Sequence, residues 1–259
     1  MKTRLSRLKK NQMNITINPK YEYLSPFIQS LPTVFETTGT MLHDKRNVVK
    51  QFDVEGRAIV VKRYKVPLFF QRIDYTFCRP SKAKRAYLFA LRLIELGIQT
   101  PDPIAFIECK KGGVFRQGFF VSTFTGHPDV KSNLDRLDND TQFFNSLIDY
   151  FIFIHDKGFL HGDTNLTNFL FYQEDGQYRF EVIDINRSHF KEHPSKTDCL
   201  NNLMRITRDR QLSKRIVEAY ANRRGWNPDE AVSFVAHQID KYEQKRRARQ
   251  FYKDHLKRK

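Results

Sequence analysis

Cysteine is scarce. Only three occur in 259 residues, and Cys78, Cys109 and Cys199 are far apart and in no CxxC or Cys/His pattern, which argues against a disulfide framework or a zinc site. A reducing, cytoplasmic setting fits that usage. Long apolar runs are missing as well: the most apolar stretch, Leu147 to Ile154, is too short to span a bilayer and contains Asp149, and the first residues lack the apolar stretch of a signal peptide. Any membrane contact is therefore expected to be peripheral. Acid is in deficit too, with 29 Asp and Glu against 45 Lys and Arg. No internal repeat and no low-complexity linker interrupts the chain.

What is abundant is aromatic and basic. Hydrophobic residues make up 40%, with 23 phenylalanines, too much apolar material for a disordered chain and enough for a packed aromatic core in one large domain or two lobes. The net charge of +16, with an isoelectric point near 9.8, draws polyanions and anionic membranes. Its densest runs are terminal: Lys2, Arg4, Arg7, Lys9 and Lys10 at the start, and Lys245, Arg246, Arg247, Arg249, Lys253, Lys257, Arg258 and Lys259 at the end. Such runs read as solvated basic arms, with or without a partner. No zinc finger and no RNP-like aromatic motif supports a dedicated nucleic-acid binder.

Along the chain, Thr37 to Leu42, Asn47 to Val54 and Arg57 to Tyr64 are β-prone runs separated by His43-Asp44-Lys45-Arg46 and Glu55-Gly56, which predicts an antiparallel meander. Lys82 to Leu96 has helical apolar spacing and ends at Gly97 with Pro101 and Pro103 beyond. Two further strands are expected at Pro103 to Glu108 and Gly118 to Thr125, giving five strands and one helix before the break at Gly126-His127-Pro128. Then Phe143, Phe144, Leu147, Ile148, Phe151 and Ile154 mark a buried helix capped from Asp138-Asn139-Asp140. A hairpin of Asn168 to Tyr172 and Tyr178 to Ile185 turns at Glu174-Asp175-Gly176. Helices follow, the clearest starting at Asn227-Pro228-Asp229-Glu230. The expected division is a basic arm over 1–32, a first lobe over 33–126 and a second over 127–259.

The densest chemical signal is His161-Gly162-Asp163-Thr164-Asn165-Leu166-Thr167-Asn168, between the buried helix and a hairpin ending in Val182-Ile183-Asp184. Phosphoryl transfer needs this spacing: one carboxylate reaches the acceptor hydroxyl, an amide five residues later turns back to a phosphate-bound cation, and a second carboxylate at a strand end completes the metal site. An isolated HGD tripeptide is as well explained by a tight turn with a capping Asp, but here the context adds a lysine on the third strand. Period-2 alternation in Ala58-Ile59-Val60-Val61-Lys62 places Ala58, Val60 and Lys62 on one face, suited to line a nucleotide pocket with the amine at the α and β phosphates.

With these residues the sequence resembles the bacterial lipopolysaccharide core kinases, the Kdo/WaaP family, from about Val34 to Asn222. The match rests on Ile59-Val60-Val61-Lys62, Gly97-Ile98-Gln99-Thr100-Pro101-Asp102-Pro103, His161-Gly162-Asp163 with Asn168, and Asp184-Ile185-Asn186-Arg187. The resemblance implies an α+β, bilobal protein-kinase-like fold with a five-stranded antiparallel sheet and one helix in the first lobe and a mainly helical second lobe. It implies transfer of the γ-phosphate of ATP, with Mg2+, to a sugar hydroxyl of lipid-linked Kdo or heptose at the cytoplasmic face of the inner membrane. Asp163 and His161 are then the expected catalytic residues, Lys62, Val60 and Asn165 the nucleotide-binding ones, and Asn168 and Asp184 the magnesium ligands. Expected partners are the lipid A-core substrate and the anionic inner-membrane surface, with no specific nucleic acid and no obligate protein partner.

Several positions depart from the protein-kinase pattern. Asn165 stands where protein kinases carry a lysine, which suits sugar and small-molecule kinases. The glycine-rich loop is reduced to Gly39, with Lys45 or Arg46 at the hairpin tip as cationic substitutes for amide donors. The helix after the third strand has Ala86, Tyr87 and Leu88 where a glutamate pairs with the strand lysine, and its Glu95 lies about two turns further on. Asn186 takes the place of the DFG glycine, an exchange that left-handed backbone angles tolerate. Arg187, next to it, is expected to brace the loop or meet an anionic acceptor. No A-P-E sequence follows, which disfavours a protein substrate. Two other readings stay open: a degenerate kinase that binds nucleotide or a partner without transfer, and a small-molecule kinase of the aminoglycoside phosphotransferase type.

Overall fold

Alternating apolar residues and two tight turns build the first sheet. In the computed structural model, which describes residues 11–256, β1 (Asn11–Ile17) leads through a 3-10 helix (Pro19–Leu24) into α1 (Ser25–Val34). Then β2 (Thr40–Asp44), β3 (Val48–Val54) and β4 (Arg57–Arg63) form the meander. Glu55 and Gly56, both at positive φ, make the β3–β4 turn, a geometry that favours glycine. Two helices follow, α2 (Phe69–Phe77) and α3 (Lys82–Glu95), then β5 (Pro103–Lys111) and β6 (Val114–Thr123). All six strands pair antiparallel in the order β1-β5-β6-β4-β3-β2.

The sheet therefore has six strands where five were expected, and it carries three α-helices where one was expected. The sixth strand and α1 come from residues 11–34, most of which fall in the span that the sequence reads as a basic arm; the lysines and arginines at positions 2–10 lie outside the described residues. Ile15 and Ile17 of β1 pack on a core formed by Ile28 and Leu31 of α1 with Ile59, Val61, Ile107 and Val121 of the sheet. The opposite sheet face meets α3 through Ala83 and Tyr87, against Tyr64 and Phe106. α3 is capped by Ser81, whose hydroxyl accepts from the Lys84 amide at 3.2 Å, and it stops at Gly97 with φ +75.

The chain divides into two compact units after Gly126. The second begins with a 3-10 turn (Val130–Asn133) and α4 (Leu134–Asn139), then α5 (Thr141–Asp156), whose Phe143, Leu147, Ile148, Phe151 and Ile154 are buried. The Asp140 side chain caps α5 by accepting from the Phe143 amide at 2.9 Å. After it, β7 (Phe159–Leu160) pairs with β10 (His189–Phe190), and between them β8 (Phe169–Glu174) pairs with β9 (Gln177–Val182). The hairpin turns at Asp175 and Gly176, both at positive φ. The rest is α6 (Lys196–Leu203), α7 (Arg210–Arg223) and α8 (Pro228–Leu256). α8 is capped by Asn227, whose side-chain oxygen accepts from the Glu230 amide at 3.1 Å. The architecture is mixed α and β, with the six-stranded antiparallel sheet in the first unit and mostly helices in the second.

Gly118 sets the approach of α3 to the sheet, because a Cβ there would lie 3.1 Å from the Ala83 Cβ. Gly118→Val is expected to push α3 outward and cost about 1–3 kcal/mol, read as a lower denaturation midpoint at unchanged m-value.

Candidate active site

In the second unit the loop between β7 and β8 is organised around one buried imidazole. His161 is 1% exposed. Its Nδ1 accepts from the Asp163 backbone N–H at 3.1 Å and its Nε2 lies 2.9 Å from the Ile183 carbonyl. An amide can only donate and a carbonyl can only accept, so the ring is the neutral Nε2–H tautomer. Burial pushes its pKa below the ordinary histidine value, against the Ile183 carbonyl, which favours the charged form. Grouped on sequence with Asp163 as catalytic, His161 has both nitrogens committed to backbone, and what the geometry gives it is a positioning role. It ties the amide of Asp163 to the residue preceding Asp184.

Gly162 is required by a close approach of backbone to backbone. A Cβ at this position would meet the Arg187 carbonyl oxygen at 2.1 Å, so only a bare backbone lets the loop lie against residues 185–187. Asn165 caps the 3-10 turn Leu166–Asn168 by accepting from the Thr167 amide at 3.1 Å. The Asn168 amide nitrogen donates to the Asp163 carbonyl at 2.8 Å, which leaves its Oδ1 as the atom able to take a cation. The Ile183 N–H donates to the Asn168 carbonyl at 3.0 Å, extending the β8–β9 ladder and setting Asn168 beside the approach to Asp184.

Asp184 itself adopts left-handed angles, φ 56 and ψ 40, a conformation uncommon for a residue with a Cβ though more frequent for Asp and Asn than for most. The sequence places the left-handed position at Asn186. The structure moves it two residues back, and Asn186, only 5% exposed, donates instead from Nδ2 to Asp184 Oδ1 at 2.6 Å. Two hard oxygen donors of different type, one amide and one carboxylate, thus flank the ladder end. That set fits a magnesium ion that keeps waters and takes its remaining ligands from phosphate. It does not fit an all-protein cage, and no group of three or more His, Cys, Asp or Glu able to hold a metal occurs among the described residues.

Two guanidinium groups approach the Asp163 carboxylate. Arg187 Nη1 lies 3.8 Å from Oδ2 and Arg205 Nη2 3.2 Å from Oδ1. Arg205 also donates to the Gly162 carbonyl at 3.4 Å, and its guanidinium lies over the Tyr242 ring, 5.4 Å from the centroid. Sequence reasoning missed Arg205, which sits just after α6 in no motif. It also missed Asn202 on α6, whose Nδ2 donates to the His161 carbonyl at 2.7 Å and whose Oδ1 lies 3.1 Å from His155 Nε2. His155 in turn meets the Tyr220 hydroxyl at 2.8 Å. The loop thereby hangs on a buried polar chain running back into the helical core.

In the first unit, the alternation on β4 is as expected: Ile59 and Val61 are core, while Ala58, Val60 and Lys62 are half-buried on the face that carries Phe120 and Phe106. Lys62 Nζ lies 5.5 Å from the Tyr64 ring centroid. The only carboxylate of α3, Glu95, pairs with Arg92 at 2.9 Å, so this helix offers Lys62 no glutamate. Lys45 and Arg46 are exposed at the β2–β3 tip.

The family model for lipopolysaccharide kinases of the Kdo/WaaP type matches residues 43–223. This chain belongs to that family. The matched span contains Lys62, the His161–Asn168 loop and Asp184, and membership in a kinase family implies ATP use. A solved structure, "WaaP in complex with acyl carrier protein", superimposes with a TM-score of 0.58 over 90% of this chain and 97% of that one. At 16% identity this likeness shows the fold. Comparison with curated protein sequences finds no significant match.

Two outcomes follow from this geometry. Gly162→Ala is expected to force the loop off Arg187 and remove nearly all catalytic turnover while leaving the helical core folded, checked by circular dichroism beside ADP release. Burial lowers the His155 pKa to about 4 from 6.5. Between those values the unfolded chain binds a proton that the folded chain refuses, so stability falls as pH drops from 6.5 to 4, by up to about 3 kcal/mol. Denaturant titrations at several pH values check this, and His155→Gln should flatten the dependence.

Proposed function

We propose that the chain transfers the γ-phosphate of ATP to a sugar hydroxyl of the lipopolysaccharide inner core, Kdo or heptose, on a lipid-linked acceptor at an anionic membrane surface. The observation that carries this reading is the joint placement of Asp163, Asn168 and Asp184 around the His161 imidazole, within a chain of the lipopolysaccharide kinase family. In this reading Asp163 accepts the proton of the acceptor hydroxyl and orients it. Asn168 and Asp184 hold magnesium, which neutralises charge on the transferring phosphoryl group. Arg187 and Arg205 keep the Asp163 carboxylate in one orientation and add positive charge where an acidic sugar would arrive. Lys62 and Val60 are assigned to the nucleotide by their place on β4, and Asn165 through the turn that it caps.

The missing glutamate on α3 favours one competing reading, a nucleotide-binding protein without transferase activity, and both are tested by the same assay. With ATP, magnesium and Kdo-lipid A, ADP release should rise with acceptor concentration, and Asp163→Asn should lower the rate roughly 10²–10⁴-fold with nucleotide affinity kept. Absence of acceptor-dependent ADP in a protein that still binds nucleotide would favour the competing reading. A soluble aminoglycoside or amino alcohol that works equally well without membrane would point to a small-molecule kinase.

A further inference from the structure

For a helix docked on a sheet, α2 has its polarity reversed. Its protein-facing contacts are largely polar: Arg72 Nε donates to the Phe115 carbonyl and Thr76 Oγ1 accepts from the Phe115 N–H, each at 2.9 Å, while the Tyr75 ring meets that of Phe115. Its outer side carries Phe70, 83% exposed, Ile73, 38%, and Phe77, 78%. At steps of three and four residues these fall on one face. The lead-in adds Val66 at 44% and Leu68 at 76%. Five apolar residues displayed together cost solvation free energy unless something covers them.

The surrounding charge says what covers them. From Arg63 to Arg92 the sequence has eight Lys and Arg and a single acid, Asp74, which pairs with Arg79. The apolar row is a convex ridge on a single helix, so a protein partner would have to supply a fitted groove, whereas acyl chains adapt to any ridge. Apolar side chains on a short amphipathic helix beside exposed cations match the boundary between acyl chains and anionic headgroups. No helix among the described residues is long and apolar enough to cross a membrane, so contact at the interface is the available mode.

We propose that α2 and its lead-in form the membrane-contact element of this protein, inserting Leu68, Phe70, Ile73 and Phe77 among the acyl chains of an anionic bilayer while Lys65 and Arg79 meet headgroup phosphates. The element names a specific site for the membrane surface in the kinase reading, but it rests on the helix itself and stands if that reading fails.

The test is co-sedimentation of the full chain with vesicles of phosphatidylglycerol and phosphatidylethanolamine, compared with phosphatidylcholine alone. The parent should bind the anionic vesicles, and Phe70→Ser/Phe77→Ser should weaken that binding about tenfold or more with ATP binding unchanged. A second variant, F70W, should gain tryptophan quenching by brominated lipid over the parent, and it decides the matter if the double variant does not fold. Equal vesicle binding by parent and double variant, or no added quenching in bound F70W, would overturn the proposal in favour of purely electrostatic attraction. Failure of the parent to bind vesicles, with the double variant losing self-association or binding to an acyl carrier protein, would overturn it in favour of a protein interface.

Discussion

In the second unit one neutral imidazole is held between two stretches of backbone, and the geometry of the candidate site depends on it. His161 accepts from the Asp163 amide and faces the Ile183 carbonyl, so a single rigid ring sets the separation between the loop that carries one carboxylate and the strand end that carries the other. A protonated ring could not accept from the Asp163 amide. Burial favours the neutral form, and Phe159 and Phe169 contribute to it with rings that pack on the imidazole. The abundance of phenylalanine therefore bears on the site as well as on the core.

Around that clamp the loop is fixed from several directions, which is what a reaction dominated by positioning requires. Gly162 lets it lie against the Arg187 backbone, Asn168 ties its end to its start, and Asn202 suspends it from α6. The Asp163 carboxylate meets two guanidinium groups. Arg205 is held by the Tyr242 ring and the Gly162 carbonyl, so its charge is delivered in a set direction. Asp184 has left-handed backbone angles, and its carboxylate accepts a hydrogen bond from Asn186.

Much of this was legible in the residues. The meander followed from β-prone runs and glycine turns, α3 and α5 from apolar spacing and capping side chains, and the place of the HGD loop from the buried helix before it and the hairpin after it. The elements that escaped share a cause. β1 is mostly polar and shows its alternation only at Ile15 and Ile17, α1 carries Pro26 and Pro32, which hide its spacing of Leu24, Ile28 and Leu31, and α2 turns its apolar face outward. Arg205 and Asn202 reach the site only through the packing of α6, which no local spacing encodes. The sequence puts the left-handed position at Asn186 because Asn tolerates such angles, but Asp tolerates them too, and Asp184 takes them here.

The state of the His161 ring is the most direct measure of this account. In ¹⁵N-labelled protein, long-range nitrogen–proton correlations at neutral pH should show a neutral Nε2–H imidazole with an unprotonated Nδ1, and any protonation on acidification should come below the ordinary histidine value. A ring that titrates near 6.5, or one carrying its proton on Nδ1, would contradict the clamp and with it the convergence of Asp163 and Asp184.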